Sequence, residues 1–321
     1  MNREILIAVN HLVRYYGEYC AVNDVSFTIN RGEVLGFLGP NGAGKSTTMK
    51  IISGVLPPHA GSVAIAGIDM LAQPRAAKQH IGFLPEQPPL YGDLTVDEYL
   101  RYAARLRGIS KAGLPSALES SKKRCGLEDT GHRLIRNLSK GYQQRVGIAQ
   151  AIIHSPQVVI LDEPTIGLDP IQIREIRDLI KELGEDHSVI LSTHILPEVQ
   201  TVCNRVLIIN EGKLVMDRQL DSLGTEKQAG SLCVTFKNPP SVETLQGISG
   251  VSQVEAMADN RFRLQFQDAD KVIDTLLQRA LSSCWGLQEL TPQADSLEEI
   301  FMQLTSGSLS DPASHDAEIS A

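Results

Sequence analysis

An α/β fold is the class this sequence predicts, and three short apolar runs predict it. Val34-Leu35-Gly36-Phe37-Leu38 precedes a glycine-rich loop, Val158-Val159-Ile160-Leu161 ends in Asp162-Glu163, and Val189-Ile190-Leu191 ends in Ser192-Thr193-His194. Runs of this length without polar alternation suit strands buried on both faces of a parallel sheet. The polar groups that follow their ends are then candidates for a site.

The loop after the first run, Gly39-Pro40-Asn41-Gly42-Ala43-Gly44-Lys45-Ser46-Thr47, fills the phosphate-binding pattern G-x-x-x-x-G-K-[ST]. Its glycines allow the backbone angles that turn successive amide N–H groups inward, making an anion nest at the start of a helix. That helix is expected over Thr47–Ser53. Lys45 adds a mobile positive charge. A nucleoside triphosphate site on a P-loop NTPase core is therefore expected. Asp162 can hold Mg2+ with the Ser46 hydroxyl, because this ion prefers oxygen ligands and keeps several waters. Glu163, one step further out, is the candidate general base that orients and deprotonates an attacking water.

Alternation through Val63–Gly67 predicts a β-rich subdomain beside this core. Thr95-Val96-Asp97-Glu98 is a capping box, and Tyr99, Leu100, Ala103 and Leu106 follow at the spacing of one apolar helix face. A helical subdomain is expected over about residues 94–138. Gly224-Thr225 and Gly230 suggest a boundary, giving a nucleotide-binding domain over 1–224 and a small α+β domain over 225–306. In the latter, Leu232, Val234 and Phe236 alternate, as do Phe262, Leu264 and Phe266, like half-buried strands. Val272, Ile273, Leu276, Leu277 and Ala280 have helical spacing, and Ser296 with Glu299 forms a capping box ahead of Ile300, Phe301 and Leu304. No acids, histidines or thiols in this domain form a catalytic pattern, so regulation or dimer support is its expected role. The tail, 307–321, is small, polar and acidic and is expected to be disordered.

A length of 321 residues accommodates two domains, and 42% apolar content is ordinary for a globular chain. The net charge of −8 argues against a nucleic-acid partner. Apolar runs such as Val206–Ile209 fall far short of the roughly 18 residues a membrane helix needs, so the chain is not expected to form a pore itself. Its first residues lack the charged, apolar and small succession of a secretion signal, and the site is expected to face the cytoplasmic ATP pool. Five cysteines, at 20, 125, 203, 233 and 284, show no metal-like pairing and are expected as reduced, buried thiols.

Between the two anchors lies Leu138-Ser139-Lys140-Gly141-Tyr142-Gln143-Gln144-Arg145, and with it the chain resembles the ATP-binding subunits of ABC transporters. The family signature is Leu-Ser-Gly-Gly-Gln; here Lys140 replaces the first Gly and Tyr142 the Gln, while Ser139, Gly141 and the following Gln-Gln-Arg are retained. The resemblance implies ATP and Mg2+ as ligands. It places Ser139 and Gly141, at the start of a helix, against the γ-phosphate of ATP held by a second copy. Tyr16 matches the aromatic residue that stacks on adenine, with its neighbour Tyr15 as the rival. His194 matches the histidine that contacts the γ-phosphate. Asp169, in Gly167-Leu168-Asp169-Pro170, matches the loop through which subunits communicate, and on its own it could equally be a helix cap. Glu86, in Leu84-Pro85-Glu86-Gln87, falls where the family carries a glutamine that ligates the metal. A carboxylate would bind the ion more strongly but adds negative charge beside the phosphates, so Glu86 and Gln87 both stay open.

The implied fold is an ABC ATPase core with β-rich and helical subdomains plus the small C-terminal α+β domain. The implied function is an ATP-hydrolysing subunit that dimerises around two ATP molecules to power transport through separate integral membrane permease subunits. Because Glu163 and His194 are both present, a second copy of the same chain is the expected partner. The Leu-Pro-Glu and Lys-Gly-Tyr variants resemble export ATPases of the drug-resistance and gliding-motility type. An importer ATPase shares all the site chemistry and is set apart only by those variants. Soluble members acting in translation or DNA repair are disfavoured by the single set of motifs and by the about 94 residues between Lys45 and Ser139. The expected location is the cytoplasm, peripheral on the inner face of the membrane through the permease. The cargo stays open, because in this arrangement the ATPase never touches it.

Overall fold

A computed structural model describes residues 4–220, 228–293 and 297–306. The chain divides into two compact units, 1–220 and 221–321.

The first unit is organised by a six-stranded sheet in the order β10-β9-β3-β8-β7-β6. These strands are β3 (Val34–Leu38), β6 (Ile81–Leu84), β7 (Val158–Asp162), β8 (Ser188–Thr193), β9 (Arg205–Asn210) and β10 (Lys213–Gln219). The first five pair in parallel and β10 closes one edge in antiparallel fashion. Every residue of β3, β7 and β8 is buried, which is why their sequences lack polar alternation.

On one face of this sheet Leu35, Phe37, Ile160 and Ile190 share a core with helix α1 (Lys45–Ile52) and with a second, antiparallel sheet. That sheet has the order β2-β1-β4-β5, from β1 (Ile5–Tyr16), β2 (Tyr19–Asn30), β4 (Ala60–Ile65) and β5 (Ile68–Asp69), and a short helix α2 (Pro74–Gln79) follows it. On the opposite face Leu84, Val159, Leu161 and Leu191 pack with α3 (Val96–Leu106), α4 (Leu114–Arg124), α5 (Lys140–Ile152) and α6 (Pro170–Asp186). Helix α7 (Leu196–Val202) leads into β9.

The capping box at the start of α3 forms: Thr95 N donates to Glu98 Oε2 at 2.9 Å, and Glu98 N donates to Thr95 Oγ1 at 3.3 Å. Tyr99, Leu100 and Ala103 are buried as their spacing predicts, but Leu106 is 68% exposed. It is the last residue of α3, and the chain turns away at Arg107.

In the second unit an antiparallel sheet has the order β12-β13-β11-β14, from β11 (Gln228–Phe236), β12 (Val251–Ala256), β13 (Arg261–Asp268) and β14 (Leu287–Gln293). Helices α8 (Val242–Gln246), α9 (Ala269–Ser282) and α10 (Leu297–Ser306) complete it. Leu232, Val234, Phe236, Phe262, Leu264 and Phe266 form its core with Val272, Leu276 and Ala280 from α9 and with Trp285. Ile273 is half-buried, and Leu277 lies at the margin of that face. Gly224, Thr225, Ser296 and the tail 307–321 lie outside the described residues, as does the side chain of Glu299.

Cys125 and Cys233 are buried and Cys20 and Cys203 half-buried, but Cys284 is exposed, contrary to the expectation of buried thiols; all five are free. Among the described residues, no helix is long and apolar enough to cross a membrane.

Two histidines brace the edge of the main sheet. The ring of His154, just past α5, lies 3.1 Å from Ile81 O at the start of β6. His187 has Nε2 3.1 Å from Arg124, a group that can only donate, so its Nδ1–H donates to Pro156 O at 2.6 Å. Burial lowers both pKa values from 6.5, that of His154 to about 4. With the folded values depressed, the unfolded chain takes up protons first. Stability is therefore full above about pH 6.5 and falls as pH drops from there toward 4. His154→Gln is expected to flatten this acid limb, by roughly 2–4 °C in melting temperature at the low end, as measured by thermal melts across pH 4–7.

Candidate functional site

The phosphate loop is moulded by what lies behind it. A Cβ at Gly39 would sit 2.4 Å from the carbonyl oxygen of Ile209, and one at Gly44 would sit 2.3 Å from that of Ala21. Gly44 also takes a φ of +104° as the residue that caps α1, a conformation open to glycine at little cost. From there α1 starts at Lys45, two residues earlier than the sequence suggests, with Thr48 Oγ1 donating to Gly44 O at 2.9 Å.

In-register parallel pairing brings the other strand ends alongside: Leu38 faces Thr193 and Asp162 faces Ser192. Lys45 Nζ donates to Gly39 O at 2.9 Å and to Pro40 O at 3.1 Å, and it lies 3.4 Å from Glu163 Oε1. The other Glu163 oxygen is 2.9 Å from His194 Nδ1. Glu163 is buried and has a φ of +49°, a strained left-handed backbone for a residue with a side chain. Its N–H is held by Ser192 O at 2.9 Å.

Ser46 Oγ donates to Asp162 Oδ1 at 3.1 Å, while the buried Asp162 Oδ2 has no hydrogen-bond partner among the described residues. Burial raises the Asp162 carboxyl above its usual range. The nearby Ser192 and Ser46 hydroxyls oppose that rise, and the charges of Glu163 and Glu86 add to it. A buried, unpartnered carboxylate oxygen beside a hydroxyl is a donor set that suits a hard divalent cation.

Above this floor opens a cleft of about 560 Å³, lined by Tyr16, Asn41, Gly42, Gly44, Lys45, Ser46, Thr47, Glu86, Glu163 and His194 of the predicted residues. Tyr16 borders it with Arg14 stacked 5.3 Å from its ring centre, whereas Tyr15 packs edge-on against His59 and does not border it. Glu86 faces the cleft, whereas Gln87 lines an adjoining cavity of about 500 Å³ that Glu86 also borders.

Ser139, Gly141 and Asp169 do not line the cleft. Ser139 caps α5, its Oγ accepting from Tyr142 N at 3.4 Å, and Gly141 lies against the side chain of Gln172. Asp169 caps α6, its Oδ1 accepting from Gln172 N at 2.9 Å. The Lys140 ammonium lies over Gly167, where φ is +69° and a side chain would be strained in any case.

Two residues near the site escape the sequence reading. Tyr19 pairs with Tyr16 across the β1–β2 hairpin, borders the cleft and donates its hydroxyl to Gly42 O at 3.1 Å. Its only signal is its position just past Gly17 at the turn. Glu198, on α7, is fully buried and bonded to Thr165 and Thr193. Nothing local in the sequence marks it.

Comparison with known proteins agrees with this geometry. The sequence pattern of the ABC transporter family matches residues 22–166. The chain is 38% identical over 231 residues to the ABC transporter ATP-binding protein NatA of Bacillus subtilis, covering 71% of this chain and 92% of NatA. It is 30% identical over 318 residues to the linearmycin resistance ATP-binding protein LnrL of the same organism, covering 95% of this chain and all of LnrL (100%). The dimeric structure of MJ0796, a bacterial ABC transporter cassette, superposes with a TM-score of 0.62 at 27% identity, covering 67% of this chain and 99% of the cassette.

Gly39→Ala, which drives a methyl group into a backbone oxygen, is expected to destabilise the chain by about 1–3 kcal/mol. It should also abolish the rise in melting temperature that ATP gives the unmodified chain, as read by melts with and without nucleotide.

Proposed function

The chain belongs to the ABC transporter ATP-binding proteins, and from that premise we propose that it powers export, two identical copies closing around two ATP molecules beneath separate membrane subunits. The observation that carries this reading is the convergence of Lys45, Asp162, Glu163 and His194 at one cleft behind the phosphate loop.

In this reading the amides of 39–47 and the Lys45 ammonium hold the β- and γ-phosphates, and Tyr16 stacks on adenine. Ser46, Asp162 and Glu86 would hold Mg2+, which when bound neutralises phosphate charge as it develops. Glu163 orients a water, and as the water oxygen bonds to the γ-phosphorus its proton passes to the carboxylate. The bond to the bridging oxygen breaks, leaving ADP and phosphate. His194 holds the Glu163 carboxylate and contacts the γ-phosphate.

Ser139 and Gly141 lie away from the cleft, as groups that serve the second copy's ATP should. Asp169 would meet the second copy through the 167–170 loop. Binding energy of the two triphosphates drives closure, and loss of the γ-phosphates permits reopening. Export rather than import rests on the Leu-Pro-Glu and Lys-Gly-Tyr variants and on likeness to a linearmycin resistance protein. The proposed place is the cytoplasmic face of the membrane, through the permease. The 225–306 domain is proposed to regulate the cycle or support the dimer. Among its described residues no group of acids, histidines or thiols could hold a metal.

Glu163→Gln is expected to lower ATP turnover at least 100-fold, leave the ATP dissociation constant within about twofold, and give an ATP-dependent dimer on size exclusion. Undiminished turnover would remove Glu163 from this role. Tyr16→Ala is expected to weaken ATP binding about 5- to 30-fold, against less than about twofold for Tyr15→Ala, by fluorescence titration.

A further inference from the structure

One buried acid outside the cleft touches both arms of the Glu163–His194 pair. Glu198 lies in the first turn of α7 and is fully buried. Its Oε1 accepts from Thr165 Oγ1 at 2.7 Å, and its Oε2 accepts from Thr193 Oγ1 at 2.8 Å. Thr165 stands two residues after Glu163, and Thr193 immediately precedes His194. Thr193 Oγ1 also accepts from Ile195 N at 3.0 Å, so His194 is pinned from both sides. On the other arm Ile166 N donates to Glu163 O at 3.2 Å, folding Thr165 back beneath the acid. Arg177, on α6, approaches Glu198 Oε1 at 3.6 Å.

We propose that Glu198 is a positioning residue for ATP hydrolysis: its two oxygens fix the separation of the loop carrying Glu163 from the loop carrying His194. A carboxylate is acceptor-only and rigid between its oxygens, so two hydroxyls donated from different loops are held at a distance set by covalent geometry. Apolar packing of similar volume often stabilises a fold as well as a buried ion pair does, so stability alone gives little reason for an acid here. The 2.9 Å contact between His194 and Glu163 depends on both loops keeping their places. Small misplacements of catalytic groups are costly in rate. The inference rests on the reading of Glu163 and His194 as the hydrolytic pair.

The test uses the full chain and two variants, Glu198→Gln and Thr165→Val; the latter cuts one tether at nearly constant volume. Each is expected to lower kcat about 10- to 100-fold while the ATP dissociation constant stays within about twofold. In a His194→Ala background, single-turnover assays are expected to show less than about a threefold further loss, because the contact being positioned is already gone. If Glu198→Gln fails to fold, Thr165→Val decides alone. Wild-type kcat in folded variants, or the same fold-loss with and without His194, overturns the proposal. Glu163→Gln run alongside separates the two readings. If it is inactive while both tether variants match the wild type, only the positioning role fails. If it turns over normally, the hydrolytic pair itself is wrong and the inference falls with it.

Discussion

In-register pairing of β3, β7 and β8 is the constraint on which the site depends. The three strands are buried on both faces, so their ladders are the only outlet for their backbone polar groups. A slip of one residue would exchange the side chains facing the two cores. It would also carry the fully buried Asp162 away from Ser46. The positions of Lys45, Asp162 and His194 relative to one another are thus a by-product of core packing. The phosphate loop inherits the same rigidity, because Gly39 is pressed against β9 and Gly44 against β2.

What could be read from residues alone was whatever is encoded locally. The apolar runs, the phosphate loop, the Thr95–Glu98 box and the alternation in β11 and β13 each depend on neighbours in the chain, and each appears in the structure. Leu106 fits the periodicity of α3 but stands where the helix stops, so its partners are absent although its spacing is right. Tyr15 and Tyr16 are equivalent as neighbours in a strand; only the pleat, which turns one toward His59 and the other toward the cleft, tells them apart. Glu86 and Gln87 are distinguished in the same way.

Long-range polar contacts were beyond such a reading. Glu198 meets Thr165 from 33 positions away, and Tyr19 reaches Gly42 across a gap of 23. No periodicity signals either bond, because each requires the sheet to be assembled first. Trp285 is similar, an isolated aromatic that closes the second unit's core edge-on to Phe236.

Glu163 sits where folding by itself would choose glycine, since its φ of +49° is one that a side chain resists. Backbone strain of this kind amounts to roughly 1–3 kcal/mol. Any campaign that enriches this chain for yield or heat tolerance, without assaying turnover, would therefore drift toward loss of that acid. The molecules it favoured would be abundant and well folded, and inert. Abundance and activity have to be selected together here, because at this one position they pull in opposite directions.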